Sequence, residues 1–159
     1  MQTTTFLTTL LAAAATTVSG AAIAPRQANA ISIARFAANC IPHSVLCVYD
    51  FTAITSPTSA SPSGNPDPVR CTKYLQGPDR LPDVALTGCD GLAYAWAVSR
   101  VQGGGLQLTV TTPRDSHTNY TGTFDIGADQ LVMEQHEASV VERYTGPGEF
   151  DVAVGWSNS

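Results

Sequence analysis

Short segments in which apolar and polar residues alternate recur along the chain from residue 31 onward. The clearest pair is LAYAWAVSRV (92–101) and LQLTVTT (106–112), which are separated by three glycines at 103–105. Alternation places six apolar residues on one face of their segments: Tyr94, Trp96, Val98, Leu106, Leu108 and Val110. Glycine supplies the positive φ that a tight turn needs. The pattern therefore predicts a β-hairpin.

Eight further segments are strand-like, and one of them, 45–54, is rich in β-branched and aromatic residues. They cover residues 31–36, 45–54, 69–74, 84–86, 120–126, 130–134, 140–144 and 150–156. The first of them, 31–36, shows regular alternation. No segment keeps an apolar period of 3.6 residues, so we expect no sustained helix. Short strands at about ten-residue spacing indicate an all-β, antiparallel β-sandwich or β-barrel of about eight strands.

The first 25 residues contain no charged side chain, and a short apolar run is followed by small residues at 19–22. This layout is typical of a secretory signal peptide, and the run is shorter than the roughly 20 residues that span a bilayer. We predict a signal peptide over 1–22, with Arg26 as a further candidate processing point. The remainder, 27–159, is predicted to be one secreted, extracellular domain with a flexible loop at 56–68, where four prolines occur.

The charge balance narrows the class of partner. The chain has 13 acidic and 8 basic residues, net −5, and Lys73 is its one lysine. No basic stripe is present to neutralise phosphates, and an acidic surface disfavours adhesion to anionic membranes. We therefore predict neither a nucleic-acid nor a membrane partner.

Four cysteines are present, Cys40, Cys47, Cys71 and Cys89, and none belongs to a CxxC motif. In an oxidising compartment two structural disulfides are the expected outcome. The stretch CIPHSVLC reads as a turn, so that its two cysteines would face each other across a hairpin within bridging distance. We favour Cys40–Cys47 with Cys71–Cys89, and Cys40–Cys71 with Cys47–Cys89 is the alternative. His43 is then expected at an exposed turn tip, because oxidised cysteines supply no thiolate for a metal.

Residues with catalytic potential are few. The segment at 115–117 holds Asp, Ser and His, but adjacent residues on a strand point to opposite faces and cannot form a relay. Glu134 and His136 would share a face of a strand, yet two ligands do not complete a metal site. We predict no catalytic residue, no metal and no cofactor.

Two further features have chemical meaning. Asn119-Tyr120-Thr121 is an N-glycosylation sequon, so Asn119 is predicted as an acceptor if it is exposed. Three loop carboxylates could pair in space for glycoside hydrolysis, although nothing marks them as buried: Asp79, Asp83 and Asp90.

Several stretches resemble one family of small secreted fungal proteins. They are a leader ending in Ala-Pro-Arg, ISIARFAANC, CVYDF, the loop between Cys71 and Cys89, and LAYAWAVSRV followed by GLQLTV. Over residues 31–155 the chain resembles the Alternaria major allergen-like family, which includes elicitors of the hypersensitive response. The resemblance implies a compact β-barrel or sandwich with two intrachain disulfides, of which Cys71–Cys89 carries over, and no known catalytic site.

The chain departs from that family in two ways. No cysteine precedes Ile31, so the family's intermolecular disulfide is not supported. The family's second intrachain bridge lies near its C-terminus, whereas Cys40 and Cys47 lie early in this chain.

Leader, cysteines and strand pattern together predict a secreted fungal effector or elicitor that recognises a host (plant) protein through its surface, without catalysis. An alternative is a carrier that holds a small apolar ligand inside the barrel, with Tyr94 and Trp96 lining the site. A small secreted hydrolase with spatially paired carboxylates is a third hypothesis. The oligomeric state is not predicted.

Overall fold

A computed structural model describes residues 30–55, 68–91, 93–113 and 117–158, and almost every element in it is an antiparallel strand. The strands are β1 (Ala30–Cys40), β2 (Leu46–Thr55), β3 (Val69–Gln76), β4 (Val84–Gly88), β5 (Ala95–Arg100), β6 (Leu106–Pro113), β7 (Thr118–Ile126), β8 (Leu131–His136), β9 (Ser139–Tyr144) and β10 (Phe150–Asn158). One turn of 3-10 helix, Ala128–Gln130, precedes β8. The all-β prediction is confirmed.

The predicted signal peptide and residues 56–67 of the predicted loop lie outside the described residues. Within the described ranges, no helix is long and apolar enough to cross a membrane.

Eight strands form a nearly closed barrel. They follow the order β3-β2-β1-β10-β7-β6-β5-β4, and each neighbouring pair is antiparallel. The remaining strands, β8 and β9, form a hairpin that joins the sheet where Arg143 pairs with Asn39 of β1. The expected count of about eight strands therefore holds for the barrel, and the hairpin adds two.

The two end strands of this path, β3 and β4, meet at a seam. No ladder of backbone hydrogen bonds joins these two described strands. Among the described strands, β3 pairs with β2 and β4 pairs with β5. The Cys71–Cys89 disulfide crosses the seam with its Cα atoms 4.2 Å apart. Beside it, the Asp90 N–H donates to the Arg70 carbonyl at 2.8 Å. One covalent bond and one hydrogen bond thus hold the ends of the barrel together.

Side chains from facing strands fill the barrel. Trp96 is fully buried, and its ring makes T-shaped contacts with Phe51 at 5.1 Å and with Tyr49 at 6.0 Å between ring centroids. The six hairpin residues predicted to share an inward face are all buried. Burial of each large apolar side chain contributes roughly 1.5–3 kcal/mol, so this layer of alternating residues supplies much of the folding free energy.

The regular alternation predicted for 31–36 is wrong at Arg35. Ala34 pairs with Thr52, whereas the next registered pair is Ala37 with Asp50, so β1 contains one residue more than β2 in this interval. Arg35 has a φ of 56°. Because of this one-residue bulge, the alternation of inward and outward side chains shifts by one residue after Arg35. Phe36 is therefore buried in the core, as Ile31 and Ile33 are before the bulge.

The start of β5 also differs from the prediction, which began at residue 92. The Cys89 N–H donates to the Tyr94 carbonyl at 3.0 Å, and Gly91 has a φ of 97°. These features close the β4–β5 turn, so the strand begins only at Ala95. The turn predicted at 103–105 is confirmed, since Gly103 and Gly104 have positive φ.

A buried ion pair fastens the segment between β3 and β4 to the barrel. Glu142, 5 % exposed, accepts hydrogen bonds from Arg100 Nη2 at 2.6 Å and from the Leu81 N–H at 2.8 Å. Leu81 is buried in the core, and the Tyr49 hydroxyl donates to the Pro82 carbonyl at 2.9 Å. Burial raises the pKa of Tyr49, so this hydroxyl remains a donor. Glu142 and Tyr49 together hold the segment against the open side of the seam.

The two disulfides are expected to differ in their contribution to stability. Replacing Cys71 and Cys89 with alanine should lower the free energy of unfolding by roughly 3 kcal/mol, because it opens a longer loop and releases the barrel seam. Replacing Cys40 and Cys47 should cost about 1 kcal/mol less, because strand pairing still holds that short hairpin. Urea denaturation of the two double variants measures the difference. An equal or larger loss for the Cys40–Cys47 pair would contradict this role of the seam.

The Glu142 carboxylate is expected to be essential to stability. Glu142→Ala should lower the free energy of unfolding by about 3 kcal/mol, because it leaves Arg100 and the Leu81 N–H without their acceptor. Glu134→Ala is the matched control, since Glu134 forms an ion pair with the exposed Arg143 on the same hairpin. Its loss should stay within about 1 kcal/mol. Thermal unfolding followed by circular dichroism tests both variants, and similar losses would contradict the prediction.

Candidate functional site

The four predicted cysteines form the favoured pair of disulfides. Cys40 and Cys47 are register partners at the end of the β1–β2 hairpin, and their sulfurs are bonded. Cys71 and Cys89 are bonded across the seam. The alternative pairing is therefore wrong. His43 lies at the exposed tip of the β1–β2 turn as predicted, and its Nε2 is 3.8 Å from Glu137 Oε2.

The residues proposed to line a ligand site, Tyr94 and Trp96, belong to the hydrophobic core. Tyr94 is 5 % exposed and Trp96 is fully buried. The rings of Tyr49 and Phe51 contact Trp96, and its indole N–H has no hydrogen-bond partner within the described residues. Both side chains therefore face the barrel interior, as the carrier hypothesis requires, and that hypothesis stays a prediction.

The predicted glycosylation residue, Asn119, lies in β7 between two paired strands. Its register partners are Pro113 of β6 and Ser157 of β10, and it is half-buried. The sequon threonine, Thr121, lies with its hydroxyl 3.1 Å from that of Thr111. Modification of Asn119 stays a prediction.

Glu134 and His136 share a face of β8, as predicted. His136 Nε2 lies 3.4 Å from Glu134 Oε2, and Arg143 Nη1 donates to Glu134 Oε1 at 3.0 Å. Within the described ranges, no three His, Cys, Asp or Glu side chains are arranged to hold a metal ion. The three residues form a local charge network on the β8–β9 hairpin.

The candidate residues for hydrolysis are in part exposed and in part outside the described residues. Asp115 and Ser116 lie outside it. The three loop carboxylates are all exposed: Asp79, Asp83 and Asp90. Asp83 Oδ1 accepts the backbone N–H of Arg100 at 2.7 Å, which gives this carboxylate a structural contact.

A polar network that the sequence analysis did not identify covers the outer face of β1, β2 and β3. Asp50 and Thr52 flank the buried Phe51, so the alternation of β2 turns both outward. Across the β2–β3 ladder, Arg70 pairs with Thr52 and Thr72 pairs with Asp50. The strand register therefore places these four side chains in two adjacent cross-strand rows, Thr52 with Arg70 and Asp50 with Thr72.

Asp50 is the centre of this network. Arg70 donates to both of its carboxylate oxygens, from Nε at 2.8 Å and from Nη2 at 2.9 Å, and the Thr72 hydroxyl donates at 2.7 Å. The hydrogen bond with Arg70, with further contributions from Thr72 and from the charges of Arg70 and Arg35, lowers the pKa of Asp50. Asp50 therefore stays ionised, and Arg70 neutralises its charge.

Arg35 completes the network from the bulge in β1. Regular alternation would place its side chain on the same face as the buried Ile31 and Ile33. The extra residue instead turns it outward, and its Nη2 donates to the hydroxyl of Thr52 at 2.9 Å. Thr52 is only 6 % exposed, although it lies on the outer face. The side chain of Arg35, which would point inward in a regular strand, therefore points outward because of the bulge.

These side chains surround a shallow depression of about 220 Å³, which we call the arginine depression. It is lined by Arg35, Asp50, Phe51, Thr52 and Arg70. Two guanidinium groups and one carboxylate give it a net charge of +1. A further carboxylate, that of the exposed Asp90, lies close enough to interact with the charge of Arg70.

An apolar patch adjoins the arginine depression on the same face. Leu46 and Val48 alternate with the buried Cys47 and so point outward, and Val48 pairs with Tyr74 of β3. Tyr74 is 62 % exposed, and Leu46 is 36 % exposed. We call Leu46, Val48 and Tyr74 the apolar patch. A guanidinium site beside exposed aromatic and aliphatic side chains has the composition of a binding surface.

One sequence signal could have pointed to Arg35. In ISIARFAANC the apolar residues fall at 31 and 33, and then at 36 and 38, so their parity changes at the arginine. A shift of the apolar residues from odd to even positions is expected when a strand contains one extra residue. The partners Asp50 and Arg70 gave no such signal, because only the β2–β3 register brings them together.

The backbone at Arg35 should prefer glycine over alanine. A left-handed φ costs an L-residue roughly 1–2 kcal/mol, so Arg35→Gly should be more stable than Arg35→Ala by about 1 kcal/mol after the greater chain entropy of glycine is allowed for. Ala37→Gly is the control, since Ala37 is exposed on the same strand and lacks a positive φ. This substitution should lower stability by about 0.5–1 kcal/mol. Urea denaturation decides the point, and an alanine variant as stable as the glycine variant would contradict it.

No protein-family model, curated protein or solved structure matches this chain. The resemblance to the Alternaria major allergen-like family stays a prediction that rests on the quoted stretches of sequence.

Proposed function

We propose that this protein is a secreted effector or elicitor of fungal type, which binds a host protein through the outer face of β1, β2 and β3. The observation that carries the proposal is the position of Arg35. A bulge in the left-handed backbone conformation holds its guanidinium over Thr52, on the same outer face as the exposed Tyr74. Binding itself, without catalysis, is the activity proposed.

Backbone strain at Arg35 supports a functional role for this face. A non-glycine residue at positive φ costs free energy, and such residues persist where the surrounding structure or a binding function retains them. Glycine would occupy the same bulge with less strain. An arginine in place of a glycine at this position supports a role for the side chain itself.

The composition of the outer face supports recognition of a protein. Arginine and tyrosine are enriched among the residues that dominate binding free energy at interfaces. The apolar patch supplies surface that gains from burial, and the arginine depression beside it supplies polar contacts at the edge. Both lie on paired strands of the barrel, so their geometry is set before a partner binds.

The cysteines and the leader support secretion. All four cysteines are paired, and no free cysteine is present. Disulfides persist in oxidising compartments and are rare in the cytosol. The uncharged, apolar N-terminal segment has the layout of a signal peptide.

The contacts of two carboxylates support a role without acid–base chemistry. Asp50 is held by Arg70 and Thr72, and Glu142 is held by Arg100 and the Leu81 N–H. Each carboxylate is an acceptor in a structural network.

Infiltration of purified protein into leaves of several plant species tests this function. We expect a defence response or cell death in at least one host. Tyr74→Ala and Arg35→Gly should each raise the concentration needed for a half-maximal response about tenfold or more, as loss of an interface anchor does. Arg143→Ala, which removes an exposed arginine from the β8–β9 hairpin, is the control and should act as the unmodified protein does.

Two outcomes would contradict the proposal. The absence of a response in every host would remove the elicitor function. A response unchanged by both Tyr74→Ala and Arg35→Gly, in variants that remain folded, would show that another surface is responsible.

A further inference from the structure

We propose that the arginine depression binds the carboxylate of one aspartate or glutamate side chain on the partner protein. This inference rests on the proposed function of the outer face and specifies the chemical group that it recognises. Arg35 is the residue assigned to bind that group.

Arg35 differs from three other arginines of the described residues in having no acidic partner. Arg70, Arg100 and Arg143 each donate to a carboxylate, at 2.8, 2.6 and 3.0 Å. Arg35 has a hydrogen bond to the Thr52 hydroxyl and no ion pair with any described residue. A guanidinium has five N–H donors, so most of the donors of Arg35 remain available to a ligand.

The position of this guanidinium is also restricted, which distinguishes it from other unpaired cations. Arg80 and Lys73 likewise have no acidic partner in the described ranges, and no side-chain hydrogen bond holds either of them. Arg35 is restricted by the bulge and by Thr52. A donor group held in place loses less conformational entropy on binding than a free surface side chain does.

The charge of the depression favours an anion. Arg70 binds Asp50 through both oxygens, and this contact keeps Asp50 ionised and neutralised. Arg35 itself forms no ion pair there, so the lining side chains carry one positive charge more than negative charges. Arginine binds carboxylates with short, charge-assisted hydrogen bonds, which are stronger than hydrogen bonds between neutral groups.

The size of the depression favours a single side chain. Its volume of about 220 Å³ is below the roughly 300–1,000 Å³ of sites that enclose small molecules. A carboxylate at the end of a short side chain can enter it, and the main chain that carries this group would then lie across the surface. The apolar patch lies next to this route on the same strands, because the Val48–Tyr74 row is adjacent to the Asp50–Thr72 row.

The apolar patch favours a protein over an anionic polysaccharide. Leu46 and Val48 are aliphatic, and they can be covered by apolar side chains of a polypeptide. A polysaccharide of uronic acids would offer the same carboxylate chemistry but few apolar groups to bury against these residues. We therefore assign the site to an acidic residue that has an apolar neighbour in the partner chain.

A nuclear magnetic resonance titration of ¹⁵N-labelled protein with capped peptides tests this assignment. The probes are a short peptide containing Glu and Leu and a matched peptide in which Gln replaces Glu. We expect the acidic peptide to shift the amide signals of residues 34–36, 50–52 and 70–72 in a saturable way. The Gln peptide should bind about tenfold more weakly or worse, because it lacks the charge-assisted contact.

Arg35→Gly and Arg143→Ala proteins are titrated in parallel. Arg35→Gly should lose the preference for Glu over Gln, while a dispersed spectrum shows that the barrel is intact. Arg143→Ala should keep that preference in full. Equal binding of the two peptides by the unmodified protein, or shifts confined to other strands, would overturn the proposal.

An oligogalacturonide is the third probe, because it carries carboxylates on a carbohydrate. Shifts at the same amides with this probe alone would overturn the assignment to a protein partner. The result is independent of the plant assay. Selective peptide binding without a response in any host would leave this inference in place and contradict the elicitor function. A plant response without peptide binding would leave the elicitor function in place and contradict this inference.

Discussion

Closure of the barrel between β3 and β4 is the constraint on which the rest of the structure depends. An eight-strand path leaves two edges, and here those edges are joined by the Cys71–Cys89 disulfide and the Asp90–Arg70 backbone hydrogen bond. The segment that connects the two strands is held from inside by Glu142 and Tyr49. Once the seam is closed, aromatic rings can fill the interior and the outer face of β2 and β3 becomes a fixed surface.

The bulge at Arg35 connects the core to that surface. Because β1 gains one residue, Phe36 remains in the core and contacts the rings of Phe51 and Tyr144, while Arg35 turns outward over Thr52. The same residue therefore adjusts the packing on one side of the sheet and the charge on the other. This double role explains why a strained conformation can be retained: strain at one residue is offset by packing around it.

Much of the fold was predictable from local patterns. Alternation placed Trp96 and Leu108 on inward faces, the glycines at 103–105 marked a turn, and the spacing of Cys40 and Cys47 around Pro42 indicated a bridged hairpin. These features depend on near neighbours in the chain. The predicted β5 began too early because a turn hydrogen bond between Cys89 and Tyr94 competes with strand formation, and no residue pattern reports that competition.

The sequence by itself determined the all-β class, the main strands and the residues of the core, because strand periodicity and turn chemistry act over a few residues. Only the tertiary structure decided the polar network on the outer face of β1, β2 and β3. Asp50 and Arg70 are 20 residues apart, and their contact exists because β2 and β3 pair in one particular register. Likewise, Glu142 meets Arg100 only after the β8–β9 hairpin has folded against the barrel. An outer face made from three strands is set by strand register and barrel closure, which are properties of the whole chain.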